Sequence, residues 1–147
     1  VAQIVALGKA AELAKSRLLS AAASVKKLRD DFEDRVFEHI SDAHLNGDRD
    51  IRLPNISNIS FGSIEGEGLL INLDMNGIAV STGAACSSGT LEPSPVIRAL
   101  GRPEDLARGA IRFSFGLQNS IEDVDRVLEV LPGAIANLRR LAPSFAK

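Results

Sequence analysis

A run of about forty residues at the start of the chain has the spacing of an amphipathic helix, and this run most constrains the fold. From residue 2 to residue 43, apolar residues recur every three or four positions between charged stretches. The pattern predicts one long helix over residues 1–43, or two in line. Asn46-Gly47-Asp48 is typical of a turn, so the helix should end before it. The apolar positions include Val25, Leu28, Phe32, Val36 and Ile40.

Residues 44–147 predict short strands alternating with helices. Ile56, Ile59 and Phe61 indicate one strand, and Ile78–Val80 a second, brief one. The segment from Ala110 to Phe115 alternates strictly between large apolar residues and others, which is typical of a strand with one buried face. Such a strand turns Arg112 and Ser114 away from the core.

Three helices are expected among these strands. Ser63 precedes an acidic turn and predicts the cap of a helix that Asn76-Gly77 ends. Pro93 suits the start of a short helix that continues to Leu100. Ser120 with an aspartate three residues later resembles a capping box, and it opens a last helix that we expect to be kinked at Pro132. The predicted class is α/β (α+β), a short, mostly antiparallel sheet covered by the first and last helices.

Composition excludes several classes of function. The chain has 147 residues, enough for one domain, and we expect a single small domain over residues 1–147. A formal charge of −2 gives no attraction to nucleic acid or anionic membranes. No apolar run is long enough for a membrane span and no leader pattern is present, so we expect a cytoplasmic protein. One cysteine permits neither a disulfide nor a four-thiolate metal site, and we predict no metal site.

Two residues are candidates for chemistry. Cys86 lies in a predicted mobile loop of Gly, Ser, Thr and Ala, residues 82–93, where a thiol would be exposed; alternatively it is a small buried apolar residue. Arg112 could bind a carboxylate with its planar guanidinium, or it could be a solvated or ion-paired arginine on the sheet.

The sequence resembles the NifS/IscS-like cysteine desulfurases, within the aminotransferase class V, fold-type I enzymes that depend on pyridoxal 5′-phosphate (PLP). The resemblance covers nearly the whole chain, and it implies the small C-terminal domain of such an enzyme. The segments that carry it are 45–48, 53–56, 65–67, Ile111-Arg112-Phe113-Ser114 and, above all, Ser81-Thr82-Gly83-Ala84-Ala85-Cys86-Ser87-Ser88-Gly89-Thr90-Leu91-Glu92-Pro93-Ser94-Pro95-Val96-Ile97-Arg98-Ala99-Leu100-Gly101.

The resemblance implies a reaction in which L-cysteine gives L-alanine and its sulfur passes to the protein, with PLP as the electron sink. Cys86 would be the catalytic nucleophile that carries the sulfur as a persulfide, and Arg112 would bind the substrate carboxylate. The implied partners are a sulfur acceptor or iron–sulfur scaffold protein and a second copy of the chain, in a homodimer.

The resemblance also implies that the cofactor lysine, with its Ser-x-His-Lys context, belongs to a large domain. None of the lysines of this sequence has that context, so we expect no covalently bound PLP, no cofactor-binding residue here and an inactive isolated chain. The start at Val1, without a helix cap, indicates a piece of a longer protein. Two alternatives stay open: a sulfur-relay module without PLP chemistry, and a helical interaction domain in which Cys86 is incidental.

Overall fold

The computed structural model describes residues 1–82 and 93–141, which contain five helices and four strands. In chain order these are α1 (Ala2–His39), β1 (Ala43–Leu45), β2 (Ile56–Phe61), α2 (Gly66–Met75), β3 (Ser81–Thr82), α3 (Pro95–Ala99), α4 (Glu104–Arg108), β4 (Ala110–Ser114) and α5 (Ile121–Leu141).

The four strands form one antiparallel sheet. Its spatial order is β1-β2-β4-β3, so β4 lies between two strands that precede it in the chain. Ile59 of β2 is the register partner of Ile111 in β4, and Thr82 of β3 pairs with Ile111 from the other side. The predicted antiparallel sheet and the mixed helix-and-strand class are confirmed.

The main core lies between one face of this sheet and the three longer helices α1, α2 and α5. The sheet contributes Phe61, Ile111 and Phe113, and the Phe32 ring of α1 lies 4.7 Å from the Phe113 ring, centroid to centroid. Because alternate residues of a strand share a face, β2 directs Ile59 and Phe61 into this core, and β4 directs Ile111 and Phe113. The helices contribute Phe32, Val36, Leu69, Leu73, Val124, Leu131 and Ile135.

The first helix is shorter than predicted. It ends at His39, where Ile40 turns to an extended conformation with φ −120°, and Asp42 adopts a left-handed φ of 54°. The next three residues, Ala43–Leu45, form strand β1 against β2. The predicted helix over residues 1–43 is therefore wrong at its end, because these residues gain inter-strand hydrogen bonds that helical spacing cannot reveal.

Two other boundaries also differ. Helix α2 begins after Glu65 and not after Ser63, which has a left-handed φ of 62° in the preceding turn. The predicted strand Ile78–Val80 is wrong, since the paired residues are Ser81 and Thr82, while Ile78 is buried in the core. The apolar run therefore reflected packing and not strand pairing.

The remaining predictions concern the ends of helices α2, α3 and α5. Asn76 is the C-cap of α2. The Ser120 N–H donates to Asp123 Oδ2 at 3.0 Å, half of the expected capping box, and α5 continues through Pro132 to Leu141. Pro95 occupies the first turn of α3, so that helix starts two residues after the predicted Pro93.

Helices α3 and α4 lie on the second face of the sheet. Ile97 of α3, Ala107 of α4 and Ala110 of β4 form a separate, smaller apolar cluster. Ala110 belongs to the same face of β4 as Arg112, because alternate residues of a strand share a face. This face is thus covered at its Ala110 end, whereas Ser114 at the opposite end of β4 is exposed.

Candidate functional site

Strand β4 places Arg112 near the middle of the sheet, on the face opposite the main core. Its neighbours Ile111 and Phe113 are buried in the core, and Arg112 itself is half-buried. The strict alternation of this strand leaves the arginine side chain no place in the apolar layer. The predicted direction of Arg112 is therefore confirmed.

A line of polar side chains crosses the sheet through Arg112. Asn58 of β2 is its register partner on one side, and Ser81 of β3 is its partner on the other. Asn46, which follows β1, extends the line because its N–H donates to the Asn58 carbonyl at 2.8 Å. We call Asn46, Asn58, Arg112 and Ser81 the polar row.

Arg112 has an unused hydrogen-bond donor in this row. Within residues 1–82 and 93–141 its buried Nε has no hydrogen-bond partner, and no ion pair joins its guanidinium to a carboxylate. A buried N–H without a partner costs about 1–3 kcal/mol, so native proteins rarely keep one without a reason. The planar guanidinium is suited to bind a carboxylate through two parallel hydrogen bonds.

The Asn46 end of the row is closely hydrogen-bonded. Asn46 Nδ2 donates to Asn58 Oδ1 at 2.7 Å and to Ser60 Oγ at 2.8 Å. Its Oδ1 accepts from Arg102 Nε at 2.9 Å, and a second Arg102 nitrogen donates to the Leu45 carbonyl. Arg102 lies between α3 and α4, so it ties these helices to the edge of the sheet.

Asn46, Asn58 and Arg102 could not be assigned to the site from the amino-acid sequence. Their signal was weak, because the polar residues Ser57 and Asn58 of β2 are adjacent and break the alternation that would assign them to a face. Asn46 belongs to the turn signal Asn46-Gly47-Asp48, so its presence in the sequence did not indicate a functional site. Only the register brings residues 46, 58, 81 and 112 together.

Cys86, the predicted nucleophile, lies outside the described residues, as does most of the predicted loop 82–93. The structure describes the chain up to Thr82, which pairs with Ile111 next to Arg112, and again from Pro93. The described chain therefore reaches a point beside the polar row at Thr82, four residues before Cys86 in the sequence.

The described residues do not by themselves fit covalently bound PLP. A Schiff base needs a lysine amine in a pocket that also holds the cofactor. Four lysines are described, and all are exposed on α1: Lys9, Lys15, Lys26 and Lys27. Nor does the described part of the chain bring three His, Asp or Glu side chains together where a metal could bind.

Comparison with known proteins agrees with this architecture. The family model described as aminotransferase class V matches residues 1–127. The chain belongs to the class V aminotransferases. This class V chain is 49% identical over 140 residues to a cysteine desulfurase of Gluconacetobacter diazotrophicus, covering 95% of the chain and 35% of the relative. It is 45% identical over 147 residues to the cysteine desulfurase IscS 1 of Archaeoglobus fulgidus, covering 100% of the chain and 38% of the relative.

Solved structures show the same fold. The class V chain matches a NifS-like protein from Rickettsia africae with a TM-score of 0.76 at 23% identity, over 88% of the chain and 33% of that structure. A second structure titled NifS-like protein matches with a TM-score of 0.73 at 31% identity, over 86% of the chain and 31% of that structure. These NifS-like neighbours confirm the predicted fold class.

The class V chain spans only about a third of the length of these relatives, 35% and 38% in the two named above. The described helices include none with the length and apolar run that crossing a bilayer requires.

Proposed function

We propose that this chain forms part of a cysteine desulfurase, which converts L-cysteine to L-alanine and transfers the sulfur to Cys86 as a persulfide. Two named relatives with this activity in their names share 49% and 45% of their aligned residues with the chain. The single observation in the structure that carries the proposal is the buried Nε of Arg112, which lies in the polar row and has no hydrogen-bond partner among the described residues.

In this proposal Arg112 binds the carboxylate of L-cysteine. Its planar guanidinium supplies two parallel N–H donors, and a carboxylate supplies the two oxygens that accept from them. The four described strands carry no aspartate or glutamate that could occupy the guanidinium instead. Fixing the carboxylate limits the orientations of the rest of the substrate, which lowers the entropic part of the barrier.

Cys86 receives the sulfur. An extended chain spans at most about 3.6 Å per residue, so the four residues after Thr82 allow Cys86 a reach of about 14 Å from the sheet. The thiolate forms an S–S bond to the substrate sulfur, the Cβ–S bond of the substrate breaks, and Cβ gains a proton to give alanine. Both sulfurs are oxidised and Cβ is reduced, so atoms and electrons balance without a further oxidant.

The remaining parts of the proposal concern the whole protein. PLP is the required cofactor and is held by residues other than those described. The persulfide passes to a sulfur acceptor or iron–sulfur scaffold protein. We further infer a homodimer in the cytoplasm, where reducing conditions keep a lone thiol available.

The test is a sulfur-transfer assay on the protein expressed from its complete natural reading frame with PLP. We expect equal amounts of L-alanine and of a 32 Da adduct on Cys86, read by mass spectrometry after a single turnover. Cys86→Ser should abolish both. The proposal is wrong if the wild-type protein forms no alanine, or if the added sulfur is found elsewhere than on Cys86.

A second pair of variants tests Arg112. Arg112→Lys keeps the charge but loses the planar fork, so the KM for L-cysteine should rise about tenfold or more. The matched control is Arg126→Lys on α5, where Arg126 forms an exposed ion pair with Glu129. Equal KM values for the two variants would contradict a role of Arg112 in carboxylate binding.

A further inference from the structure

Asn58 is placed to act with Arg112 on the same ligand. The two residues are direct partners across β2 and β4, which puts their side chains on one face of the sheet with Cβ atoms about 4.5–5.5 Å apart. Asn58 is half-buried beside the arginine.

The carboxamide of Asn58 is held in one orientation. Its Oδ1 accepts the hydrogen bond from Asn46 Nδ2 at 2.7 Å. Asn46 cannot rotate its own amide, because both Nδ2 hydrogens are donated and its Oδ1 accepts from Arg102 Nε at 2.9 Å. A reversed Asn46 amide would set N–H against the N–H of Arg102.

This orientation leaves the Nδ2 group of Asn58 unused. None of the hydrogen bonds among residues 1–82 and 93–141 takes it as donor, so this group is free to donate to a ligand. Asn58 Nδ2 and the Arg112 guanidinium therefore present N–H donors side by side. An ionised carboxylate accepts about four hydrogen bonds, and Arg112 can use two of them.

We propose that Asn58 is a second binding residue for the substrate carboxylate, and that Asn46 and Arg102 are positioning residues that hold its amide in the donor orientation. The inference rests on the proposed function for the identity of the substrate, but its geometry requires only a carboxylate. It makes carboxylate recognition a property of the β1–β2 side of the sheet as well as of β4.

The test measures binding and not turnover. L-Alanine and L-alaninamide differ in replacing the carboxylate with a neutral amide, so their ratio of dissociation constants reports carboxylate recognition alone. Calorimetry is done on the PLP-loaded protein from the complete reading frame, as wild type, as Asn58→Asp and as Asn137→Asp. Asn137 is exposed on α5, so the control makes the same chemical change elsewhere.

We expect wild type and Asn137→Asp to bind L-alanine at least tenfold more tightly than L-alaninamide. Asn58→Asp should lower this preference at least tenfold, because the new carboxylate competes for Arg112 and repels the ligand. Asn58→Ser adds no charge and should lower the preference for L-alanine several-fold. This variant replaces Asn58→Asp in the test if Asn58→Asp does not fold. An unchanged preference in a folded Asn58 variant overturns the inference.

The positioning residues are tested in the same way. Arg102→Met frees the Asn46 amide, so the preference should fall several-fold, while Arg108→Met on exposed α4 should leave it unchanged. Equal effects of the two variants would overturn the positioning role. The alanine-formation assay separates the two proposals: a wild type that makes no alanine but prefers L-alanine through Asn58 refutes only the desulfurase activity.

Discussion

Arg112 differs from two other largely buried arginines, Arg29 and Arg52, because both of those have acceptors among the described residues. Arg29 is 2% exposed, and it donates to the Leu53 carbonyl at 2.9 Å and to Asp30. Arg52 forms a bidentate pair with Glu33, with N–O distances of 2.7 and 2.6 Å. In the described residues Arg112 Nε is the one buried guanidinium nitrogen left without an acceptor. The contrast supports a ligand role for Arg112 and a structural role for the others.

Removing one partner of the Glu33–Arg52 pair should strongly destabilise the fold, because the other charge is left without its acceptor. Glu33 is 1% exposed, and removing its charge leaves Arg52 without its bidentate acceptor. We expect Glu33→Gln to lower the free energy of unfolding by about 3 kcal/mol, as for other broken buried pairs. Urea denaturation measures it.

The neighbouring residue supplies the control. Asp34 pairs with Arg49 at 2.7 Å, but both side chains are more than 60% exposed. Solvent screening limits such pairs to about 1 kcal/mol or less, so Asp34→Asn should change stability little. A similar decrease in the free energy of unfolding for both variants would contradict a larger effect of the buried pair.

Asp48, in the loop before β2, should make the stability of the fold depend on pH. Its carboxylate accepts hydrogen bonds from the N–H groups of Ile51 and Asp50, both at 2.7 Å, and these bonds lower the pKa of Asp48 below its ordinary value. Because the folded pKa is the lower one, the stabilisation is present above the unfolded pKa, about 3.9, and is lost as the pH falls through the folded pKa.

The Ile51 amide proton reports this titration. Its NMR shift should move with a midpoint below about 3.9 in the wild type and show no such step in Asp48→Asn. A midpoint at or above the ordinary aspartate value would contradict the two backbone hydrogen bonds.

At the scale of elements, local patterns predicted four of the five helices and strand β4, whereas the five-residue helix α4 was not predicted. The alternation of β4 and the stop signal at Asn76-Gly77 depend on near neighbours in the chain, so they could be predicted. Edge strands β1 and β3 could not, because three- and two-residue strands have too few positions for a period. Their hydrogen-bond partners are in β2 and β4, and the spacing of residues within a short segment does not reveal partners elsewhere in the chain.

The entry into β4 requires a glycine. A Cβ added at Gly109 would lie 2.1 Å from the Phe61 carbonyl oxygen, at the point where the Phe61 N–H donates to the Gly109 carbonyl. Gly109→Ala must therefore push β4 away from β2. We expect it to lower the free energy of unfolding by about 1–3 kcal/mol or more, measured by thermal or urea denaturation.

Gly133 is the matched comparison for this substitution. It lies inside α5, and an added Cβ there meets no atom within 4 Å. Gly133→Ala should stabilise the chain by about 0.5–1 kcal/mol, because alanine loses less backbone entropy in a helix. If Gly109→Ala were as stable as Gly133→Ala, the close approach of β2 and β4 would be wrong.

At the scale of the whole molecule, α1 extends beyond the core that it helps to form. Its residues from Val25 onward pack on the sheet and α5, whereas residues 1–20 are exposed. The apolar spacing nevertheless continues through the exposed half, with Ile4, Leu7 and Leu18 in line with Val25. An apolar face of this length without a covering element favours association.

We therefore expect the 147-residue chain to self-associate as its concentration rises in sedimentation velocity. Leu18→Glu should reduce the association, because Leu18 lies on the apolar line and is 62% exposed. Leu19→Glu makes the same change at an 85% exposed position one residue away, about 100° around the helix, and should have a smaller effect. A chain that stays monomeric at high concentration would contradict this expectation.

The amino-acid sequence by itself determined which side of each main element is apolar. The helical period of α1 and α5 and the alternation of β4 are local properties, and they were enough to turn Arg112 away from the core. Only the tertiary structure decided which strands lie side by side. The order β1-β2-β4-β3 joins positions 46, 58, 81 and 112 into the polar row, because inter-strand hydrogen bonds form between residues far apart in the chain.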